Sequence, residues 1–233
     1  MPYRIATRTG DPPLPTTKAA ASRKSVFWDR IASKYAADPI ADLAGYETTL
    51  RRVQSLLSVD HEVLELGCGT GSTAMRLAPG TRRLLATDLS AGMVDIARAK
   101  LASRHVAQLS FAVADADATD FGLEAYDAVL AFNLLHLVDD LDRALAVAVR
   151  SLKPGGLFMS KTPCMSEMNP LVPRLVLPLM RAIGKAPHVL CFDAARLQAA
   201  ITARGLEILS VERHGTRGKD FRVFIVALKG CLP

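Results

Sequence analysis

The chain lacks any run of the roughly 18 to 20 uninterrupted apolar residues that a membrane-spanning helix needs. Its opening stretch, Met1 to Ser22, also lacks the apolar block of a secretory leader. Both absences point to the cytoplasm. Cysteine is scarce and scattered: Cys68, Cys164, Cys191 and Cys231 include no C-x-x-C pair. That excludes a zinc or disulfide framework and fits a reducing compartment. No internal repeat is visible, and no basic run interleaved with aromatics, which counts against nucleic acid as a partner. What is present is 233 residues, 50% hydrophobic and 22% charged, with 15 Gly and 13 Pro. Such a chain can bury one well-formed core, and global disorder is excluded.

Charge is uneven. The net +6 divides into +5 for residues 1–34, −8 for 35–142 and +9 for 143–233. An acidic middle between basic ends reads either as two ligand environments or as solvated helix faces.

Residues 1–21, with Asp11-Pro12-Pro13-Leu14-Pro15, read as a flexible arm, and 22–233 as one domain. Val26, Phe27, Ile31 and Tyr35 recur at helical spacing, as do Leu50, Val53, Leu56 and Leu57, so 22–58 forms a helical cap broken near Asp38-Pro39. Beyond Asp60 short apolar runs alternate with amphipathic ones. Strands are expected at Glu62–Leu66, Arg83–Thr87, Leu109–Val113, Ala125–Ala131, Gly156–Lys161, Glu207–Arg213 and Arg222–Leu228. Helices are expected at Ser72–Leu77, Ser90–Ala102, Asp139–Leu152 and Asp193–Arg204, with Ser90 and Asp193 as caps. This alternation predicts an α/β fold, a parallel sheet covered by helices on both faces. Only His214 to Phe221 separates the last two strands, too short for a crossover helix, so they form an antiparallel hairpin.

The first strand runs into Gly67-Cys68-Gly69-Thr70-Gly71, a loop whose glycines let backbone N–H groups approach a ligand. Asp88 ends the second strand about 20 residues on, where a carboxylate can accept hydrogen bonds from a ribose. The dinucleotide fingerprint is incomplete, because Ser72 stands at its third glycine, so a nicotinamide enzyme is the runner-up.

These residues, with Val63-Leu64-Glu65-Leu66, Ala86-Thr87-Asp88-Leu89-Ser90, Met93, Ala114-Asp115-Ala116, Tyr126-Asp127-Ala128-Val129 and Leu152-Lys153-Pro154-Gly155-Gly156, make the chain similar to the class I S-adenosylmethionine-dependent methyltransferases. The resemblance spans about Phe27 to Lys229 and is closest in style to the ubiquinone/menaquinone-biosynthesis group. It implies a Rossmann-like seven-stranded sheet of order 3-2-1-4-5-7-6 with strand 7 antiparallel. It also implies S-adenosylmethionine as cofactor and S-adenosylhomocysteine as product. Carried over by position, Gly67, Cys68, Gly69 and Gly71 would hold the methionine and ribose portions, and Glu65 would support the amino group. Asp88 would bind the ribose hydroxyls, Leu89 and Met93 would pack on the adenine, and Asp115 with Ala116 would read its edge. Asn133 would lie at the methyl-donor end. Tyr35 and Tyr46 either close over the sulfonium or only pack helices. Lys153-Pro154-Gly155-Gly156 reads as the turn into strand five.

Methyl transfer needs alignment, exclusion of water and a place for a proton. His136, after strand four, is either a base or a shaping residue. His188 and Glu167 are weaker candidates, while His61, His105 and His214 read as structural. Pro163-Cys164 does not match a base-methylating motif, and no His or Cys pair has metal-ligand spacing.

Residues 162–192 form an insertion after strand five, where about two to six residues are usual. Its apolar centre carries Arg174 and Arg181. It reads as a lid over an apolar substrate, as an interfacial helix docking transiently on an anionic membrane surface, or as a homodimer contact or buried packing. The sequence therefore predicts a methyltransferase acting on a small-molecule or lipid-like acceptor. The alternatives are a nucleic-acid or protein methyltransferase and a cofactor-binding protein without catalysis.

Overall fold

A computed structural model describes residues 23–167, 171, 177–182, 186–218, 220 and 222–230. The expected arm lies outside the described residues, as do Arg174, the side chain of Arg181 and Cys231.

Two helices, α1 (Arg23–Ala37) and α2 (Leu43–Gln54), precede the sheet. Asp42 caps the start of α2, its Oδ1 accepting from the Gly45 N–H at 3.0 Å. Then come β1 (Glu62–Leu66), α3 (Ser72–Leu77), β2 (Arg83–Asp88), α4 (Ala91–Ala102), β3 (Leu109–Val113), β4 (Tyr126–Phe132), α5 (Leu141–Ser151) and β5 (Leu152–Pro163). α6 (Leu177–Ala182), α7 (Ala194–Ala203), β6 (Leu206–Glu212) and β7 (Arg222–Lys229) complete the order. The seven strands lie in the order β3-β2-β1-β4-β5-β7-β6. β7 runs antiparallel to both neighbours, as the short last connection requires. Ser90, Asp140 and Asp193 cap α4, α5 and α7 through bonds of 2.8–3.1 Å to backbone N–H groups three residues on.

Alternate strand residues feed two cores. Leu64, Leu66, Val129 and Phe158 meet α5 and α7 on one face. Val63, Leu84, Leu130 and Phe224 meet α2, α3 and α4 on the other. Phe158 and Phe224 are fully buried, each worth about 1.5–3 kcal/mol relative to exposure. No helix of the described residues is long and apolar enough to cross a membrane.

Two expectations are corrected. The Lys153–Gly156 stretch belongs to β5, whose pairing with β4 slips from Tyr126↔Leu152 to Ala128↔Leu157. The insertion starts later than residue 162, since Thr162 and Pro163 pair with Val223 and Arg222, and Cys164 is fully buried. β7 supplies the ladder partners that lengthen β5.

Candidate active site

The loop after β1 is built on left-handed backbone: φ is 68° at Gly67, 54° at Gly69 and 75° at Gly71. A Cβ would come within 2.7 Å of Leu134 Cδ1 at Gly67 and within 2.5 Å of Phe111 Cζ at Gly71, so both positions are closed to larger residues. At Gly69 the nearest heavy atom is Tyr35 Cε1 at 3.7 Å, and the missing side chain leaves room in the cavity. The loop is pinned by the Cys68 N–H to Thr87 O (2.8 Å), by the Gly69 N–H to Asp88 Oδ2 (2.9 Å) and by the Lys100 ammonium to Thr70 Oγ1 (2.9 Å).

The cavity above this loop encloses about 690 Å³ counted to its mouth. Glu65, Gly67, Cys68 and Gly69 form its floor, Asp88, Leu89 and Met93 one wall, and Asn133 and Leu134 another. Two of its residues are buried acids and none is Lys or Arg. Glu65 is 2% exposed and its Oε2 has no hydrogen-bond partner. Burial, then the Asp88 carboxylate, pushes its pKa up to about 8. Burial also raises Asp88, although the Ser90 and Gly69 N–H groups oppose the shift. Such a cavity stabilises a cation and repels a pyrophosphate, so the nicotinamide dinucleotide reading fits it poorly. A ligand with an ammonium, a sulfonium and a ribose fits: the unpartnered Glu65 oxygen would meet an N–H donor, and Asp88 would accept from ribose hydroxyls. Burial holds the Cys68 thiol well above its ordinary pKa, so it stays protonated.

α1 roofs the cavity with Trp28 and Tyr35, whose rings meet edge-on at 6.4 Å. Asp29 Oδ1 accepts from the Ser90 hydroxyl (2.6 Å) and the Gly92 N–H (2.9 Å), and Lys24 pairs with Asp139 at 2.8 Å. Trp28, Thr73, Phe132 and Leu137 also line the cavity. Trp28 lies on the expected cap helix beside Phe27, while Thr73, Phe132 and Leu137 carried no sequence signal of a role.

Other expected residues lie elsewhere. Gly71 is buried behind the loop. Asp115 and Ala116 follow β3 beside Asp88, through the Ala114 N–H to Asp88 O bond of 3.0 Å, but outside the cavity lining. His136 is also outside it, because residues 186–192 fold against it: the Leu190 N–H donates to its carbonyl at 2.8 Å. Its Nδ1 is buried without a partner, and burial lowers its pKa to about 4. His188 Nδ1 is likewise buried without a partner. Glu167 holds the start of α7, accepting from the Ala194 N–H at 3.0 Å, and pairs with Arg213. Tyr46 reaches Thr73 Oγ1 at 3.3 Å and faces a second chamber. His214 is buried between Thr49 and Glu212.

That second chamber, about 580 Å³ counted to its mouth, shares Thr73, Phe132 and Asn133 with the first. Ile40, Leu50, Val53 and Phe132 give it an apolar wall, and Asp42, Lys161 and Arg222 bring charge. Asn133 holds a left-handed conformation (φ 53°) where the chambers meet.

Residues 63–156 match a family described as a methyltransferase domain. A ubiquinone/menaquinone biosynthesis C-methyltransferase of Acidiphilium cryptum (strain JF-5) is 39% identical over 99 residues, covering 41% of this chain and 39% of that protein. One of the same description from Hahella chejuensis (strain KCTC 2396) is 27% identical over 219 residues, covering 89% and 81%. The chain spans from 38% to 60% of the length of several curated methyltransferases that it matches. Among solved structures, the [4+2]-cyclase SpnF superimposes with a TM-score of 0.72 at 20% identity, covering 94% of this chain and 99% of that one.

Proposed function

We propose that the chain, which matches a methyltransferase domain over residues 63–156 and resembles quinone-biosynthesis C-methyltransferases, is a class I S-adenosylmethionine-dependent methyltransferase that transfers a methyl group to a small apolar or lipid-like acceptor by in-line displacement. One observation carries the cofactor half of this reading: a cavity with two buried acids, Glu65 and Asp88, and no basic side chain, above a glycine loop. The bound cofactor supplies a methyl group already activated by its positive sulfur. Glu65 would take the amino group, Asp88 the ribose hydroxyls, and Leu89 and Met93 the adenine face. Trp28 and Tyr35 exclude water from above.

The acceptor half is supported by the apolar second chamber, which shares a wall with the first. It is also supported by quinone-biosynthesis C-methyltransferases among the relatives. The test is incubation of the purified chain with labelled methyl donor and a cell extract, then separation into lipid, small-molecule and macromolecular fractions. Label in the organic-soluble fraction is expected; label confined to protein or nucleic acid overturns the acceptor class.

A second reading, cofactor binding in service of a different reaction, is favoured by the likeness to a [4+2]-cyclase, since one fold hosts many chemistries. It predicts tight S-adenosylhomocysteine binding with no label transferred to any fraction.

A further inference from the structure

Lys161 sits near the carboxyl end of β5, in register with Phe132 of β4 and Phe224 of β7. It is only 6% exposed and forms part of the second chamber's wall. Its Nζ donates to Thr49 Oγ1 at 2.7 Å and to the Gly45 carbonyl at 3.4 Å. No ion pair to it is found among the described residues. Asp42 and Asp220, the acids that face it, pair instead with Arg222, at 3.6 and 3.1 Å. A buried ammonium without a carboxylate is costly, and a methionine of similar reach would be easier to bury here. The position therefore calls for a chemical reason.

Its surroundings supply one. Thr49 Oγ1 also lies 3.0 Å from His214 Nδ1, and His214 Nε2 lies 2.9 Å from Glu212 Oε2. Glu212 is part-exposed and bonded to Arg52 and Ser210. Hydrogen bonds thus run from the chamber wall to solvent through Lys161, Thr49, His214 and Glu212. The charged and titratable groups facing Lys161 are Asp42 and Tyr46 of the α2 region, Arg222 of β7, and His214 and Asp220 of the β6–β7 connection. Desolvation first, then Arg222, lowers the lysine pKa, with Asp220 and Asp42 opposing. A lysine so placed is suited to accept a proton.

We propose that the second chamber holds the methyl acceptor, and that Lys161 is the base that deprotonates an acidic hydroxyl of the phenol or enol class carried on an apolar body. The inference rests on the methyl-transfer reading above. The hydroxyl proton passes to Lys161 Nζ. The oxygen, or the carbon conjugated with it, bonds to the methyl carbon as the carbon–sulfur bond of the sulfonium donor breaks, its electron pair staying on sulfur; where an aromatic carbon is methylated, its hydrogen then leaves as a proton and the oxygen takes one back. The proton leaves through Thr49, whose hydroxyl turns from the Gly45 carbonyl to His214 Nδ1, and on toward Glu212 and water. The apolar walls, Ile40, Leu50, Val53 and Phe132, take the rest of the acceptor.

The test uses 4-nitrophenol as a chromophoric probe on the full chain saturated with S-adenosylhomocysteine. Bound next to Lys161, the probe should ionise about tenfold more readily, its phenolate band appearing about one pH unit lower than in buffer. Lys161→Met should remove the shift. Lys161→Gln, which keeps a donor toward Thr49, does the same should the methionine variant fail to fold. Lys161→Arg should keep the shift, because a cation remains, but should lose label transfer to the organic-soluble fraction, because a guanidinium does not give up its proton to act as a base; transfer that survives in this variant overturns the base role. Both neutral variants should bind S-adenosylhomocysteine as the wild type does in calorimetry, since Lys161 lies outside the first cavity. An unshifted probe in the wild type, or a shift that survives both neutral variants, overturns the proposal. A shifted probe with no S-adenosylhomocysteine binding supports the phenol site and overturns the methyl-transfer reading instead.

Discussion

The amide of Gly69 donates to Oδ2 of Asp88 over 2.9 Å, while the other oxygen of Asp88 accepts from the Ser90 amide at the same distance. One carboxylate therefore fixes the glycine loop and the entry to α4, and still faces the cavity. Asp88→Ala removes both anchors and the ribose acceptor. Hydrogen bonds to charged groups are worth about 1.5–3 kcal/mol each, so affinity for S-adenosylhomocysteine should fall by about 10- to 100-fold or more. Calorimetry on a variant shown to be folded by circular dichroism decides it; unchanged affinity removes the ribose assignment.

Glu65 gives a pH signature. With its folded pKa near 8 and its ordinary value at 4.5, the ligand-free folded state holds more protons than the unfolded state between those limits. Stability from this group is full below about pH 4.5 and declines as pH rises toward 8, by at most about 1.4 kcal/mol per unit. Glu65→Gln should flatten that decline in thermal melts. Pairing with the ligand's ammonium ionises the carboxyl, so S-adenosylhomocysteine binding near pH 6.5 should release close to one proton. The dependence of binding enthalpy on buffer ionisation measures that release, and its absence leaves Glu65 without a role at the amino group.

The sheet was legible in the sequence because its central strands are buried on both faces and bounded by turns, as Val63-Leu64-Glu65-Leu66 before Gly67 illustrates, while the edge strand β6 alternates between buried and exposed residues. The acidic cavity floor was legible for the same reason: Glu65 and Asp88 stand at strand ends fixed by the hydrophobic pattern. The loop that carries His136 was legible after strand four, but its backbone contact with Leu190, 54 positions on, was not. Lys161 was invisible as chemistry, since its partners come from α2 and the β6–β7 connection. Local pattern locates an element; it does not say which distant segment closes over it.

His136 should behave as a buried neutral ring. A folded pKa near 4 against 6.5 means the unfolded state binds more protons between those values. The contribution to stability is therefore present above pH 6.5 and is lost as pH falls toward 4. His136→Gln should weaken that acid sensitivity in melts at pH 4.5 to 6.5. Turnover should change only a few-fold, in contrast to the 10²–10⁴ loss expected for a general base. A loss of that larger size with intact S-adenosylhomocysteine binding would return His136 to the chemistry.

Asp29 holds the roof. Its Oδ1 satisfies both the Ser90 hydroxyl and the Gly92 N–H at the first turn of α4, a capping role whose loss costs about 1 kcal/mol. Asp29→Ala should lower global stability by about that amount and loosen α1 more than the sheet. Amide exchange in α1 should quicken while β1 and β4 keep their protection. Because Trp28 and Tyr35 ride on this helix above the cavity, the dissociation rate of S-adenosylhomocysteine should rise several-fold, measurable by stopped-flow Trp28 fluorescence. Uniform exchange across the chain, or an unchanged dissociation rate, would show that α1 is held by its apolar packing on α4 and not by this carboxylate.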